Sequence, residues 1–223
     1  MFNNIGFPTF LFLFIIFCAW LRYEIHKDSK KPNGQQTFLE RERLANMTPP
    51  KSLNNLDYIT IPLDKLPFGA LQGHKEIDHM EYTIRSLAQE NRKIVNLTGI
   101  TNTDLKLEYG AANIVKLMEY DASYITLIKT LQEWADVLYE EKLYNEVKSL
   151  LEFSVSTKCD IAESYSMLCD IYKNHLGLSD SEAIEKIKAL QPYAAELKSM
   201  NKATIENSLK KELGQNQALP IDA

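Results

Sequence analysis

Apolar residues from position 74 onward recur every three or four places, which is the spacing of one face of an α-helix. The first stripe ends at the polar run 89–93 and predicts an amphipathic helix. Its members are Ile77, Met80, Ile84, Leu87 and Ala88. The chain holds eight glycines and eight prolines, and six of the prolines lie before position 68. Because the C-terminal two thirds contain few breakers, an all-α fold is predicted.

Polar residues mark where the next helix is expected to begin and end. Thr101 precedes Asp104 by three residues, a spacing that predicts a capped helix start. The apolar pattern then continues to about Met118, and Tyr120–Asp121 is expected to form the corner to the following helix.

Further boundary signals lie near the C-terminus. Ser179 and Glu182 have the spacing of a capping box, and Pro192 is expected to break or begin a helix. A last helix is predicted over about 202–213. The helical domain is thus expected to span residues 73–213, followed by a disordered tail, residues 214–223.

The N-terminus carries a long apolar run. Residues Ile5–Leu21 contain no charge, and 17 residues are at the short end of what crosses the hydrocarbon core of a bilayer. A cleaved signal peptide would have a positive start and a small-x-small cleavage site, and neither is present. The sequence predicts a short tip, residues 1–4, and a single-pass transmembrane anchor, residues 5–23.

The charges that flank the anchor predict its orientation. Arg22, Lys27, Lys30 and Lys31 follow the apolar run, whereas residues 1–4 carry no basic side chain. Under the positive-inside rule, the domain is expected on the cytoplasmic face of the cell membrane.

Two connecting segments precede the domain. Residues 24–55 are mostly polar and predict a flexible tether with a short helix near 37–46. Residues 56–72, called the strap below, combine apolar residues with Pro62 and Pro67, which favours an extended segment over a central strand. Its apolar side chains must pack on the chain's own helices or on a partner. They are Ile59, Ile61, Leu63, Leu66 and Phe68.

A repeat appears when the sequence is shifted by 34 residues, because Trp134 then aligns with Leu168 and Ala135 with Cys169. Residues 128–195 resemble a tetratricopeptide repeat. The eight pattern positions hold Leu131, Trp134, Ala135, Leu138, Tyr144, Val147, Leu151 and Ser154. The second copy matches in its first helix only. The resemblance implies an antiparallel stack of helix hairpins, and strap and domain together also resemble membrane-anchored bacterial proteins, which implies no particular activity.

The tetratricopeptide resemblance also implies a concave binding face made by the first helix of each repeat. Four acids against two lysines favour a basic or polar peptide partner, although an ordinary solvated helix face has the same polarity. The residues of this face are Lys129, Gln132, Asp136, Tyr139, Glu140, Glu163, Ser166, Asp170, Lys173 and Asn174.

The sequence gives little support for a nucleic-acid, metal or catalytic site. The formal net charge of −5 argues against a nucleic-acid partner. His74 and His79 are five residues apart and so lie on different helix faces, which argues against a metal site. Cys159 and Cys169 with His175 resemble a nucleophile arrangement, but burial of the thiols explains them better. No cofactor, metal or catalytic residue is predicted.

The sequence therefore favours a membrane-tethered module that binds a protein or peptide and is not an enzyme. One alternative is an extracytoplasmic, membrane-anchored helper that resembles tetratricopeptide chaperones. The second alternative is a membrane-bound enzyme subunit without a recognisable motif. Asn96–Leu97–Thr98 would accept a glycan only in a secretory lumen.

Overall fold

The computed structural model describes residues 14–22 and 34–214. Within these residues the predicted all-α class is confirmed, since one isolated bridge, Tyr58 to Val95, is the only β-type pairing there. From position 34 onward the α-helices are α1 (Gly34–Met47), α2 (Lys75–Leu87), α3 (Asn102–Tyr109), α4 (Ile114–Glu140), α5 (Tyr144–Ser156), α6 (Ala162–Asp170), α7 (Asp180–Lys188), α8 (Gln191–Glu196) and α9 (Lys202–Glu212).

Helix α4 is the centre of the core. It is 27 residues long, and Leu127, Leu131, Trp134 and Leu138 on it have no exposed surface. Helix α5 packs along it after a three-residue connection, and α2 packs on it as well. The apolar stripe of α2 buries Ile77, Ile84 and Leu87, as the sequence pattern predicted.

The predicted boundary between the second and third helices was wrong. Thr101 caps α3 as expected, accepting a hydrogen bond from the Asp104 amide, but α3 ends at Tyr109. Helix α4 then passes straight through the expected corner at Tyr120–Asp121. Neither residue interrupts the helical backbone, and the Asp121 carboxylate accepts from the Leu97 amide at 3.1 Å.

Gly110 is the residue that separates α3 from α4. Its φ of +85° lies in the left-handed region that favours glycine. A Cβ added there would lie 2.6 Å from the Pro49 carbonyl oxygen and from Pro50 Cα. The break therefore depends on a segment that is 60 residues away along the chain.

The strap packs against the domain's own helices. Ile59 donates its amide to the Ile94 carbonyl at 2.9 Å, and Ile61 and Leu66 are buried in the main core. Phe68 lies between Trp134, with ring centroids 5.3 Å apart, and the Arg85 guanidinium, 4.0 Å from its ring. After Pro62 the strap forms successive turns, so its second half is not extended as expected.

The C-terminal helices close the remaining side of the core. Helix α6 continues into a π-helical turn, Ile171–His175. The predicted capping box of Ser179 and Glu182 is present at the start of α7. Pro192 occupies the first turn of α8, and Ile205 and Leu209 bury the inner face of α9. Because α6 runs into the π-helical turn, the second copy differs from the α4–α5 pair, and the tetratricopeptide interpretation stays a prediction.

Much of the predicted anchor, residues 5–23, lies outside the described residues. Its described portion, residues 14–22, is helical. In the parts of the chain that the structure describes, no helix is both long enough and apolar enough to cross a bilayer. Residues 24–33 of the tether and residues 215–223 of the tail also lie outside the described residues.

The role of Gly110 can be tested by substitution with alanine. Gly110→Ala adds a methyl group that overlaps Pro49 and Pro50, so we expect the free energy of unfolding to fall by roughly 3 kcal/mol. Gly177→Ala is the matched control, because Gly177 also has a positive φ but nothing lies within 4 Å of an added Cβ. The control should lose only about 1 kcal/mol. Urea unfolding of the full chain in detergent measures both values, and equal losses would contradict this account.

Candidate functional site

The structure brings part of the predicted binding face together. Helices α4 and α6 are joined by two side-chain hydrogen bonds. Ser164 Oγ donates to Gln132 Oε1 at 2.5 Å, and the Tyr139 hydroxyl donates to the Asp170 carboxylate. The polar positions that the repeat pattern assigned to one face therefore lie on neighbouring helices.

Gln132 is buried within this face, with 7% of its surface exposed. Its amide nitrogen donates to the Asp136 carboxylate at 2.7 Å, while its oxygen accepts from Ser164. Both ends of the side chain are thus paired inside the protein. Gln132 stabilises the contact between α4 and α6 and is not accessible to a partner in this structure.

Asp170 is the centre of a second polar cluster. Besides the Tyr139 hydroxyl, its carboxylate accepts from Asn174 Nδ2 at 2.8 Å and from His175 Nε2 at 3.0 Å. Burial raises the pKa of Asp170, but these donors outweigh burial and hold the pKa below its usual range. The hydrogen bond to Asp170, together with burial, raises the pKa of Tyr139 to about 12.

His175 packs against the rings of Tyr139 and Tyr144, and its Nε2 is paired with Asp170. Its ring stacks on Tyr144 with centroids 3.9 Å apart. Cys159 and Cys169 are both buried, and burial raises the pKa of each thiol, to about 12 for Cys169. Because a nucleophilic cysteine needs a lowered thiol pKa, these thiols serve packing.

The remaining predicted residues separate into two groups. Lys173 donates to the Glu212 carboxylate at 2.7 Å and to the Glu212 carbonyl at 2.8 Å, which ties it to α9. The others are exposed on α4 and α6, and they are Lys129, Glu140, Glu163 and Ser166. None of these four residues lines either of the two clefts described below.

A cleft of about 400 Å³ lies elsewhere, where four segments meet. They are the start of the strap, the loop before α3, the α5–α6 corner and the α8–α9 connection. Ile59, Ile100, Phe153 and Leu197 supply apolar lining. The charged residues of the lining are Asp57, Lys158, Asp160, Glu196 and Lys198.

Hydrogen bonds hold the walls of this cleft in place. Asn96 Nδ2 donates to the carbonyls of Thr157 at 3.0 Å and Lys158 at 3.2 Å, which joins the loop to the α5–α6 corner. Asn201 Nδ2 donates to the Asp160 carbonyl at 3.1 Å. The cleft is thus formed before any ligand binds.

Gly99 allows the loop to approach the α8–α9 connection closely. Its φ is +79°, and a Cβ there would lie 2.6 Å from both the Cβ and the carbonyl oxygen of Lys198. Glycine is therefore required at this wall of the cleft.

The cleft carries a net negative charge, since three carboxylates against two ammonium groups leave −1. Lys158 pairs with Glu196 at 2.9 Å, and this hydrogen bond is the main reason that the pKa of Lys158 is raised. Asp57 adds to the same effect. The carboxylates of Asp57 and Asp160 therefore exceed the one remaining ammonium group, that of Lys198.

Ser199 also lines the cleft. Its Oγ is buried and has no hydrogen-bond partner among the described residues, so this hydroxyl is not exposed to a ligand in the cleft. The apolar walls and the excess carboxylate charge suit a group with an aliphatic stem and a cationic end.

Sequence reasoning missed this cleft because its lining comes from segments up to 142 positions apart, between Asp57 and Ser199. The strap was noticed for its apolar residues, and Asn96 only for its glycosylation pattern. Gly99 lies in the loop before α3, but its close approach to Lys198 is visible only in the folded chain.

A wider groove of about 630 Å³ runs between α2 and α4. Three of its hydroxyl groups are already used, because Thr83, Ser123 and Thr126 each donate to a carbonyl four residues earlier on their own helix. Its lining has Arg92 and Lys93 against Glu119 and so lacks the carboxylate excess of the cleft.

The described residues contain no group of three or more side chains placed to hold a metal ion. No protein-family model, curated protein or solved structure matches the chain. The candidate site therefore rests on geometry.

The cluster around Asp170 predicts a pH-dependent stability. A folded-state pKa below the unfolded value of about 3.9 stabilises the protein above that pH, and the stabilisation is lost as pH falls through the folded pKa. Asp170→Asn should therefore make the free energy of unfolding less sensitive to pH below about 4. Glu163→Gln, at an exposed position, should keep the wild-type dependence. Urea titrations at several pH values measure this, and identical slopes for wild type and Asp170→Asn would contradict it.

Proposed function

We propose that this protein is a membrane-tethered module that binds a protein partner at the cytoplasmic face of the membrane. The partner contributes a peptide segment whose basic side chain enters the cleft. The observation that carries this proposal is the cleft itself, which combines apolar walls and excess carboxylate charge in one preformed site.

The volume of the cleft supports a small ligand group. About 400 Å³ lies within the range of roughly 300–1,000 Å³ that is common for ligand sites. A lysine or arginine side chain would place its methylene groups against Phe153 and Leu197 and its charge near Asp57 and Asp160. This complementarity favours a basic peptide over an acidic one.

The cleft is a better candidate than the face predicted from the repeat pattern. On that face Gln132 is buried, Asp170 is saturated with donors, and Lys173 is tied to α9. The residues that remain exposed there line neither the cleft nor the groove between α2 and α4. Exposed charges of this kind contribute little binding free energy on their own.

The tether is supported by the apolar N-terminal run. Large apolar side chains in residues 14–22 are 43–57% exposed, and leaving that half of each in water costs roughly 1 kcal/mol. They are Phe14, Ile15, Ile16, Phe17, Trp20 and Leu21. Insertion into a bilayer removes this cost, and basic residues after the run favour a cytoplasmic domain. A tether raises the effective concentration of the domain near membrane partners.

Site-specific photo-crosslinking in cells that make the full-length protein tests the proposal. A photoreactive residue replaces Ser156, which lines the cleft, or Ser166, which lies on the α4–α6 face. We expect an adduct from position 156, and its cross-linked peptide should contain lysine or arginine. Asp160→Asn should reduce the yield of that adduct about threefold or more, because one attractive charge is lost.

The matched position 166 distinguishes the two faces. Little adduct is expected there, and Glu163→Gln should leave the adduct at position 156 unchanged. An adduct at 166 without one at 156 would move the binding site to the predicted face. An acidic cross-linked peptide would contradict the proposed chemistry.

A further inference from the structure

Helix α1 is oriented with its polar residues toward the domain. Arg41 donates to the Asp104 carboxylate at 2.5 Å, and Glu42 pairs with Thr103 and with Lys106, whose Nζ lies 3.0 Å away. Ala45 is the only fully buried residue on the described part of this helix. The contact between α1 and α3 is thus mainly polar.

The opposite side of α1 exposes three large apolar residues. With 3.6 residues per turn, Leu39, Met47 and Leu44 lie at roughly 120°, 200° and 260° from Ala45 around the helix axis. Their surfaces are 61%, 71% and 53% exposed. A surface helix in water normally turns its large apolar residues inward. The outward face of α1 instead exposes three of them beside the charged residues Glu40 and Arg43.

We infer that the outward face of α1 lies on the surface of the bilayer, in contact with lipid that includes anionic headgroups. This inference rests on the membrane tether of the proposed function and adds a second contact with the same membrane. The helix would lie in the plane of the interface, as amphipathic helices do.

The position of α1 in the chain supports a lipid occupant. The apolar run ends at Leu21, so twelve residues connect it to the start of α1 at Gly34. Twelve residues span at most about 40 Å, even when fully extended. The helix is therefore held within reach of the interface into which the anchor inserts.

Charge supports the same occupant. Lys27, Lys30 and Lys31 lie in the connecting segment, and Arg43 is exposed on the outward face of α1 between Leu39 and Met47. Basic residues next to a partly inserted apolar face attract anionic lipid headgroups. With Arg22 included, the segment and the face hold five cations against three acids, Glu24, Asp28 and Glu40, which leaves a net charge of +2.

Fluorescent labelling of the full-length protein tests the contact. The protein carries Cys18→Ser, because Cys159 and Cys169 are buried and Cys18 is exposed. A single cysteine with an environment-sensitive dye is placed at position 47 by Met47→Cys or at position 200 by Met200→Cys. Met200 is the matched control, since it is 98% exposed and distant from α1 in the chain. The protein is reconstituted into vesicles of phosphatidylcholine with or without phosphatidylglycerol.

We expect a quencher attached to lipid chains to reduce the dye signal at position 47 about twofold more than at position 200. Adding phosphatidylglycerol should increase the difference. Vesicle flotation of the same samples reports the tether separately. Protein that floats with vesicles but shows equal quenching at both positions would overturn the inference and leave the tether intact.

Two other outcomes also overturn the inference. Protein that does not float would show that the tether itself fails, and with it the proposed function. Energy transfer between dyes on position 47 of different molecules, without lipid quenching, would show that a second copy of the chain covers this face.

Discussion

The packing of Phe68 between Trp134 and Arg85 is the contact on which the rest of the structure depends. Helix α4 is buried around much of its circumference, and its largest side chain, Trp134, has no exposed surface. Helix α5 covers one side of α4 and α2 another, and the strap covers the indole. Because Arg85 belongs to α2, Phe68 joins the strap to both helices: its ring is tilted 54° to the Trp134 indole, and the Arg85 guanidinium lies over its face. Removing the strap would expose a large aromatic surface at the centre of the domain.

The same strap connects the core to the candidate binding site. Its second half covers Trp134, while its first half pairs with the loop at Ile94 and contributes Asp57 and Ile59 to the cleft. A binding site whose walls belong to the core needs little reorganisation when a ligand enters. Such preorganisation lowers the entropic cost of binding. The strap is therefore a structural element of the domain, and the proposed binding cleft lies beside its first half.

The helices with strong local signals could be predicted from the sequence. The stripe of α2, the Thr101 cap and the Ser179–Glu182 capping box each depend on residues within one or two turns. The boundary at Gly110 depends on Pro49 and Pro50, which no local pattern reveals. Burial of Gln132 was equally hidden, because a polar residue beside an apolar stripe is expected to be exposed. The cleft unites distant segments, so only the fold could reveal it.

A double-mutant cycle between the strap and α4 tests the central claim most directly. Phe68→Leu, Trp134→Leu and the double variant are made in the full chain, and the free energy of unfolding of each is measured in urea. Direct aromatic packing predicts a coupling free energy of about 0.5–1.5 kcal/mol between the two positions. Additive effects, within about 0.3 kcal/mol, would show that the strap does not pack on Trp134 and would contradict this account of the fold.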